Sequence, residues 1–211
     1  EMVLVLDESG SMSNLTNDTI GGFNSMIEKE KKLDVDAHVT TVLFNDQYKM
    51  LYNRRELKDV SKMTDKDYTP GGMTALLDAV GRTIHKMDMV SGIHRKDKGN
   101  KVLFVIITDG EENDSREYTY ADVKKLIKDR QENAGWEFIF LGANIDAAAA
   151  AENLGIDRDR AVKYKNTGSG VRANFKAVAE LSDSLAKSGR VSDEWKETVE
   201  KDEDDAADKQ S

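Results

Sequence analysis

An acid and two hydroxyls follow the first apolar run of this 211-residue chain. Asp7, Ser9 and Ser11 stand at alternate positions directly after residues 3–6. That run is too short for an ordinary helix and has no alternating polar face, so it predicts a buried strand. Carboxylate and hydroxyl oxygens on one tight loop suit Mg²⁺ or Ca²⁺ far better than zinc. The loop therefore predicts a divalent-cation site, although a turn that caps the next helix would explain these three residues nearly as well.

Two further oxygen donors lie at the ends of other predicted elements. Thr74 closes the loop TPGGMT, which contains the only proline of the chain, and is predicted to open a helix. Asp109 follows residues 102–107, the most apolar run and therefore the expected central strand. The carboxyl ends of parallel strands meet at one edge of a sheet, where ligands bind. We expect Thr74 and Asp109 to join the first loop at that edge.

The elements that must position these residues alternate between strand and helix. Strands are predicted at residues 3–6, 37–44, 48–52, 102–107, 136–141 and 161–164, the second and third forming a hairpin. Helices are predicted over residues 16–31, from Thr74 onward, after Asp146, and over residues 171–185. A further helix is predicted after the capping box Thr119–Asp122, with Tyr120, Val123 and Ile127 on its apolar face. This order predicts an α/β, Rossmann-like doubly wound fold, a mostly parallel sheet with one antiparallel edge strand and helices on both faces.

Charge and composition exclude several classes of protein. The net charge of −9 and the lack of a basic patch argue against nucleic-acid binding. No apolar segment approaches the roughly 20 residues of a membrane span, so no membrane contact is expected. The chain has no cysteine, which excludes disulfides and thiolate metal sites. Residues 189–211 carry nine acids and four bases, and we expect an acidic, flexible C-terminal tail there, as a frayed helix or a disordered segment.

Three segments occur in the order that is typical of one family. The stretches DESGSMS, GGMTALLDAV and VIITDGEEN together resemble the von Willebrand factor type A (VWA) domain, over about residues 2–185. The resemblance implies a VWA domain at residues 1–188, followed by the tail, and a metal-ion-dependent adhesion site (MIDAS). By this resemblance Ser9 and Ser11 bind the cation directly, Thr74 binds directly or through water, and Asp7 and Asp109 act mainly through bridging waters. Mg²⁺ is the expected cation, with Ca²⁺ or Mn²⁺ as alternatives.

Two functions compete at this stage. The resemblance favours a non-enzymatic module that captures an Asp or Glu carboxylate of a protein partner on the bound cation. By the same resemblance to stand-alone bacterial or phage members, we expect a cytoplasmic monomer. The alternative is a Mg²⁺-dependent phosphohydrolase with Asp7 as nucleophile, but that chemistry wants a second acid two residues on, where this chain has Ser9.

Acids crowd the predicted mouth of the site. They are Glu8, Glu111, Glu112, Asp114 and Glu117, all in or just after the metal loops. We expect them to form a solvated rim that, together with Asp7 and Asp109, repels itself when no cation is bound.

Overall fold

In the computed structural model, one six-stranded sheet carries helices on both of its faces. The structure describes residues 1–33, 35–89, 100–191 and 194–207, with the backbone alone for residues 202–207. The strands are β1 (Met2–Asp7), β2 (His38–Phe44), β3 (Tyr48–Glu56), β4 (Leu103–Thr108), β5 (Glu137–Gly142) and β6 (Ala161–Lys163). The helices are α1 (Thr16–Glu30), α2 (Leu76–Asp88), α3 (Tyr120–Asp129), α4 (Ala147–Leu154), α5 (Gly168–Ser188) and α6 (Trp195–Ala207).

The strand order confirms the predicted fold class. The sheet runs β3-β2-β1-β4-β5-β6, and every neighbouring pair is parallel except β2 with β3, the antiparallel edge. The chain leaves β1 in one direction and returns to β4 on its other side, so the strand order reverses between these two strands. A crevice for ligands forms at such a reversal, outside the carboxyl ends of the strands. Leu6 pairs with Ile107 in the register, which places Asp7 beside the end of β4.

Both faces of the sheet are covered, which is why its central strands show no polar alternation. Leu4 and Leu6 of β1 pack into the core beneath α1, α5 and α6, whereas Val3 and Val5 pack into the core beneath α2, α3 and α4. All six residues of β1 are buried, and so are all six of β4. No helix in the described part of the chain combines the length and apolar character needed to cross a bilayer.

Two local predictions were wrong and two are confirmed. Helix α2 begins at Leu76 and not at Thr74, because Thr74 is held in the preceding loop. Tyr120 does not share the apolar face of α3; it is the first residue of the helix and 44% exposed. The capping box of Thr119 with Asp122 is present, and the Asp146 side chain caps α4 by accepting the N–H of Ala149.

The expected tail is ordered in its first half. Helix α6 lies within residues 189–211 and packs on α5, with Trp195 2% and Val199 1% exposed. These two residues are four apart, so they share one face of the helix and both reach the core. A helix is one of the two forms expected for this segment, and its packing on α5 goes beyond that expectation. Residues 192–193 and 208–211 lie outside the described residues, and the domain boundary at residue 188 stays a prediction.

Two adjacent glycines of α1 provide a test of its packing. A Cβ on Gly22 would lie 2.5 Å from Cδ2 of the buried Phe175 ring of α5, whereas a Cβ on Gly21 would meet nothing within 4 Å. We expect Gly22→Ala to lower the free energy of unfolding by about 1–3 kcal/mol through overpacking. Gly21→Ala, the matched control, should raise it by up to about 1 kcal/mol. Urea denaturation of both variants measures this, and equal effects would contradict the α1–α5 packing.

Candidate metal centre

The carboxylate of Asp7 is fixed at the end of β1. It is 1% exposed, and its two oxygens accept separate hydrogen bonds, one from the N–H of Ser9 at 2.7 Å and one from the hydroxyl of Thr108 at 2.6 Å. The hydroxyl of Tyr68 donates to the backbone carbonyl of Asp7 at 2.6 Å. The strand register explains the Thr108 contact, because β4 ends directly beside β1.

Hydroxyls connect the first loop to the acid after β4. The oxygens of Ser9 and Ser11 lie 3.0 Å apart, and the Ser11 hydroxyl donates to Oδ1 of Asp109 at 2.5 Å. Ser9 is 2% exposed, whereas Ser11 faces solvent. Asp7, Ser9, Ser11 and Asp109 therefore form one linked cluster, buried on one side and open on the other.

Backbone hydrogen bonds join the first loop to the loop that carries Thr74. The N–H of Gly71 donates to the carbonyl of Glu8 at 2.9 Å, and the N–H of Gly10 donates to the carbonyl of Gly72 at 3.2 Å. Gly72 has a φ of +74°, a left-handed conformation that favours glycine. The two loops are thus held against each other independently of their side chains.

A reciprocal pair of hydrogen bonds places Thr74 at the same edge. Its N–H donates to the side-chain oxygen of Asn113 at 2.9 Å, and the N–H of Asn113 donates to the Thr74 carbonyl at 3.0 Å. The Thr74 hydroxyl borders the loop after β4, since a Cβ on Gly110 would lie 3.9 Å from it. All five residues predicted for the site therefore meet at one edge of the sheet.

The two acids of this cluster are buried without a cationic partner. Asp7 and Asp109 are each 1% exposed, and no ion pair to either occurs among the described residues. Burial raises the pKa of the Asp7 carboxyl and the neighbouring Asp109 charge raises it further, although hydrogen bonds from Thr108 and Ser9 oppose this. Two carboxylates in so little water call for a positive charge.

The donor set fits a hard cation. Within the described residues no three His, Cys, Asp or Glu side chains come together as a metal site. A cation at this edge would instead depend on hydroxyl oxygens with two acids beside them, a set that suits Mg²⁺, which binds few protein carboxylates and keeps several waters.

Other polar residues of the site were not predicted from the sequence. The side-chain amide of Asn166 donates to Oδ2 of Asp109 at 3.3 Å, and that of Asn144 donates to the Asp109 carbonyl, also at 3.3 Å. Thr108 and Asn113 both lie inside the segment VIITDGEEN, one residue before and four residues after Asp109, so their closeness in sequence could have indicated them. No pattern in the sequence points to Asn144 or Asn166, because both come from the far loops after β5 and β6.

The loop from Gly110 to Tyr118 is clamped onto the start of α2 by two acids. Glu112 accepts the N–H of Leu77 at 3.0 Å and also those of Asp114 and Ser115, at 3.0 and 2.7 Å. Asp78 of α2 accepts the N–H groups of Arg116, Glu117 and Tyr118, each at 2.9 Å. This clamp holds the loop that follows Asp109 and carries Asn113.

The expected self-repelling rim is largely wrong. Glu8 is 4% exposed, accepts the N–H of Thr69 at 2.5 Å and lies 3.3 Å from the Lys49 ammonium. Glu112 serves the clamp, Asp114 pairs with Arg116, and Glu117 pairs with Arg82. Of the five acids, Glu111 alone has neither hydrogen bond nor ion pair within the described residues. Self-repulsion at this edge therefore falls mainly on Asp7 and Asp109.

Comparisons with known proteins agree on the fold. A family model described as the VWA domain found in the C terminus of TerF matches residues 1–162. A search of curated proteins found no match.

Three solved structures illustrate the likeness. A von Willebrand factor type A protein from Catenulispora acidiphila has a TM-score of 0.58 and 15% identity, over 85% of this chain and 42% of that one. Proximal thread matrix protein 1 of the mussel byssus, with zinc in its MIDAS motif, has a TM-score of 0.60 and 14% identity, over 86% of this chain and 47% of that one. Manganese-loaded TRAP from Plasmodium vivax has a TM-score of 0.57 and 18% identity, over 84% of this chain and 72% of that one. The chain spans less than half the length of the first two, and these identities show a shared fold.

The hydrogen bonds of the Asp78 carboxylate predict that the variant Asp78→Asn loses stability to an extent that depends on pH. Burial raises the pKa of the Asp78 carboxyl, but three backbone N–H groups and Arg82 outweigh it, so the net pKa lies below the usual value. The carboxylate therefore contributes stability above about pH 4, which is lost as the pH falls through the folded-state pKa. Asp78→Asn should lower the free energy of unfolding by about 1–3 kcal/mol at pH 7, and by less at pH 3.

Urea denaturation at both pH values measures this difference. Asp65→Asn, an exposed site without a hydrogen bond in the described residues, is the control and should stay within about 0.5 kcal/mol of the wild type. An Asp78→Asn effect that is the same at pH 7 and pH 3 would contradict the role of the charged clamp.

Proposed function

Because this chain belongs to the von Willebrand factor type A family, we propose that it is a divalent-cation-dependent module that binds a protein partner through an Asp or Glu carboxylate of that partner. Members of this family are generally interaction modules without enzymatic activity. The observation that carries the proposal is the pair of buried acids, Asp7 and Asp109, which has only neutral partners and lies beside three hydroxyls. A cation there would compensate both charges.

The proposal assigns the ligands as follows. The hydroxyls of Ser9, Ser11 and Thr74 would hold Mg²⁺, Thr74 directly or through water, and Asp7 and Asp109 would act on it mainly through water. Two structures of similar fold carry zinc and manganese, as their descriptions state, which supports a divalent cation. Neutral hydroxyl ligands leave more of the positive charge uncompensated than direct carboxylates would. The cation therefore stays a strong electrophile toward a carboxylate from outside.

The open side of the cluster is where a partner would approach. Ser11 faces solvent, and Met73, next to Thr74, is 51% exposed. An exposed methionine beside the proposed cation offers apolar contact around the polar bridge, a common composition of protein interfaces.

The geometry gives no support to a phosphohydrolase. A nucleophilic Asp7 would have to reach a phosphate, yet its side chain is 1% exposed, and the position two residues on, where the acid that protonates the leaving group is expected, holds Ser9. The buried position suits a residue that holds its neighbours in place.

Metal binding should stabilise the folded chain. At a Mg²⁺ concentration one hundred times its Kd, binding adds about 2.7 kcal/mol to the free energy of unfolding. This corresponds to a rise in Tm of about 5–10 °C for a chain of this size. The Ser9→Ala/Ser11→Ala variant should lose this rise, because two proposed ligands are removed.

Melting curves in Mg²⁺ and in EDTA measure the effect. Ser25→Ala, at an exposed position of α1, is the control and should keep the full rise. Coincident curves of the wild type in Mg²⁺ and EDTA would refute the metal site.

Partner binding should follow the metal. The immobilised chain should retain proteins from its native lysate in Mg²⁺ and release them in EDTA, and the Ser9→Ala/Ser11→Ala variant should retain none of them. For one identified partner, exchange of the bridging Asp or Glu for its amide should weaken binding by at least about tenfold, since the charged oxygen that would bind the cation is lost. An identical set of retained proteins in Mg²⁺ and EDTA would contradict a metal bridge.

A further inference from the structure

A groove opens directly beside the proposed metal centre, between α3 and α4. Its lining includes Gly110, Glu111, Tyr120, Ile145 and Asp146, and its volume is about 280 Å³. Gly110 belongs both to this groove and to the loop of Asp109, and it borders the Thr74 hydroxyl. A partner bound at the metal would therefore pass over the mouth of the groove. A groove of this volume is large enough to admit one long side chain of a partner.

The lining of the groove is negative, although Lys163 lines the adjoining pocket that shares Glu111 and Asp146 with it. Glu111, Glu112 and Asp146 line the groove, and no Lys or Arg does so among the described residues. Glu112 is occupied by the clamp and Asp146 caps α4, but Glu111 is exposed and has no partner in the described part of the chain. The free charge of Glu111 thus stands two residues from Asp109, where a partner's carboxylate would arrive.

An exposed aromatic ring forms one wall of the groove. Tyr120 is 44% exposed, one of three large hydrophobic side chains exposed among the described residues, and two of the three, Tyr120 and Met73, are at the metal edge. Burial raises the pKa of the Tyr120 phenol, and the charges of Glu112 and Glu111 raise it further, which places these acids near its hydroxyl. A ring beside carboxylates favours a cation, because both the ring face and the acids attract positive charge.

From this groove we propose that the partner carries a lysine or arginine at a fixed distance from its metal-binding acid, and that this side chain lies in the groove against Glu111, Asp146 and Tyr120. The proposal rests on the function proposed above and names the partner's chemistry. A carboxylate that binds the cation would also meet the charge of Glu111, which opposes its approach. A neighbouring base offsets that repulsion and makes the charges of the two surfaces complementary.

A displayed library of random nine-residue peptides tests the proposal. The peptides are selected on the immobilised chain in Mg²⁺ and eluted with EDTA, so that only metal-dependent binders are sequenced. On the wild type we expect Asp or Glu in the eluted peptides and Lys or Arg enriched at one offset from the acid. On Glu111→Gln/Asp146→Asn the acid should remain and the enrichment of the base should disappear. Asn still caps a helix, so this variant should fold.

A matched variant controls for net charge. Glu28→Gln/Asp183→Asn also removes two charges, from α1 and α5 on the opposite face of the sheet, and should keep the enrichment. Exchange of the base for Gln in the strongest selected peptide should raise its Kd about five- to tenfold on the wild type and less than about twofold on Glu111→Gln/Asp146→Asn. Fluorescence anisotropy measures these values.

The outcomes separate the two proposals. Selection of acids without an adjacent base, or enrichment of the base that survives Glu111→Gln/Asp146→Asn, overturns the groove and leaves the metal-bridged function standing. EDTA-eluted peptides without an enriched acid overturn the proposed function and the groove with it.

Discussion

The burial of two carboxylates at the reversal of strand order is the constraint on which the candidate site depends. Asp7 ends β1 and Asp109 follows β4. These strands are neighbours because the chain places β2 and β3 on one side of β1 and then returns to place β4 on the other side. Each acid alone could be satisfied by neutral donors, and each has such donors in Thr108, Ser9 and Ser11. Together they concentrate negative charge where little water reaches. The fold thus creates a demand for positive charge at one point on its surface.

Rigidity at that point comes from backbone hydrogen bonds and from acids that serve structure. The first loop and the Thr74 loop exchange backbone hydrogen bonds, and Asn113 joins the Thr74 loop to the loop after β4. Asp78 and Glu112 then hold this last loop on α2. A cation site needs its oxygens in place before the ion arrives, since movement on binding would reduce affinity. Several acids near the site therefore position its ligands and do not face the ion.

Most of the fold could be predicted from the sequence, and so could the five residues that meet at the site. The apolar runs of β1 and β4 predicted buried strands, because strands covered on both faces show no alternation of polar and apolar residues. The prediction of the rim was wrong because the sequence does not show which acids accept backbone N–H groups, as Glu8 and Glu112 do. Asn144 and Asn166 were missed because their contacts join loops far apart in the chain. The packing of helix α6 was not predicted, because its two buried residues, Trp195 and Val199, stand in a segment of mainly acidic composition.

The mutual hydrogen bonding of the loops also affects how this protein can diverge. Backbone contacts between residues 8–10 and 71–72 do not depend on side chains, but they fix the length of both loops. Insertions there would separate the hydroxyls, whereas exchanges of an exposed side chain such as Met73 leave the hydrogen bonds intact. Two residues that line the groove between α3 and α4 are similarly free to change. Glu111 has neither a hydrogen bond nor an ion pair among the described residues, and Tyr120 is 44% exposed. Descendants of this chain could therefore change partners by substitution at the surface while inheriting the metal edge unaltered.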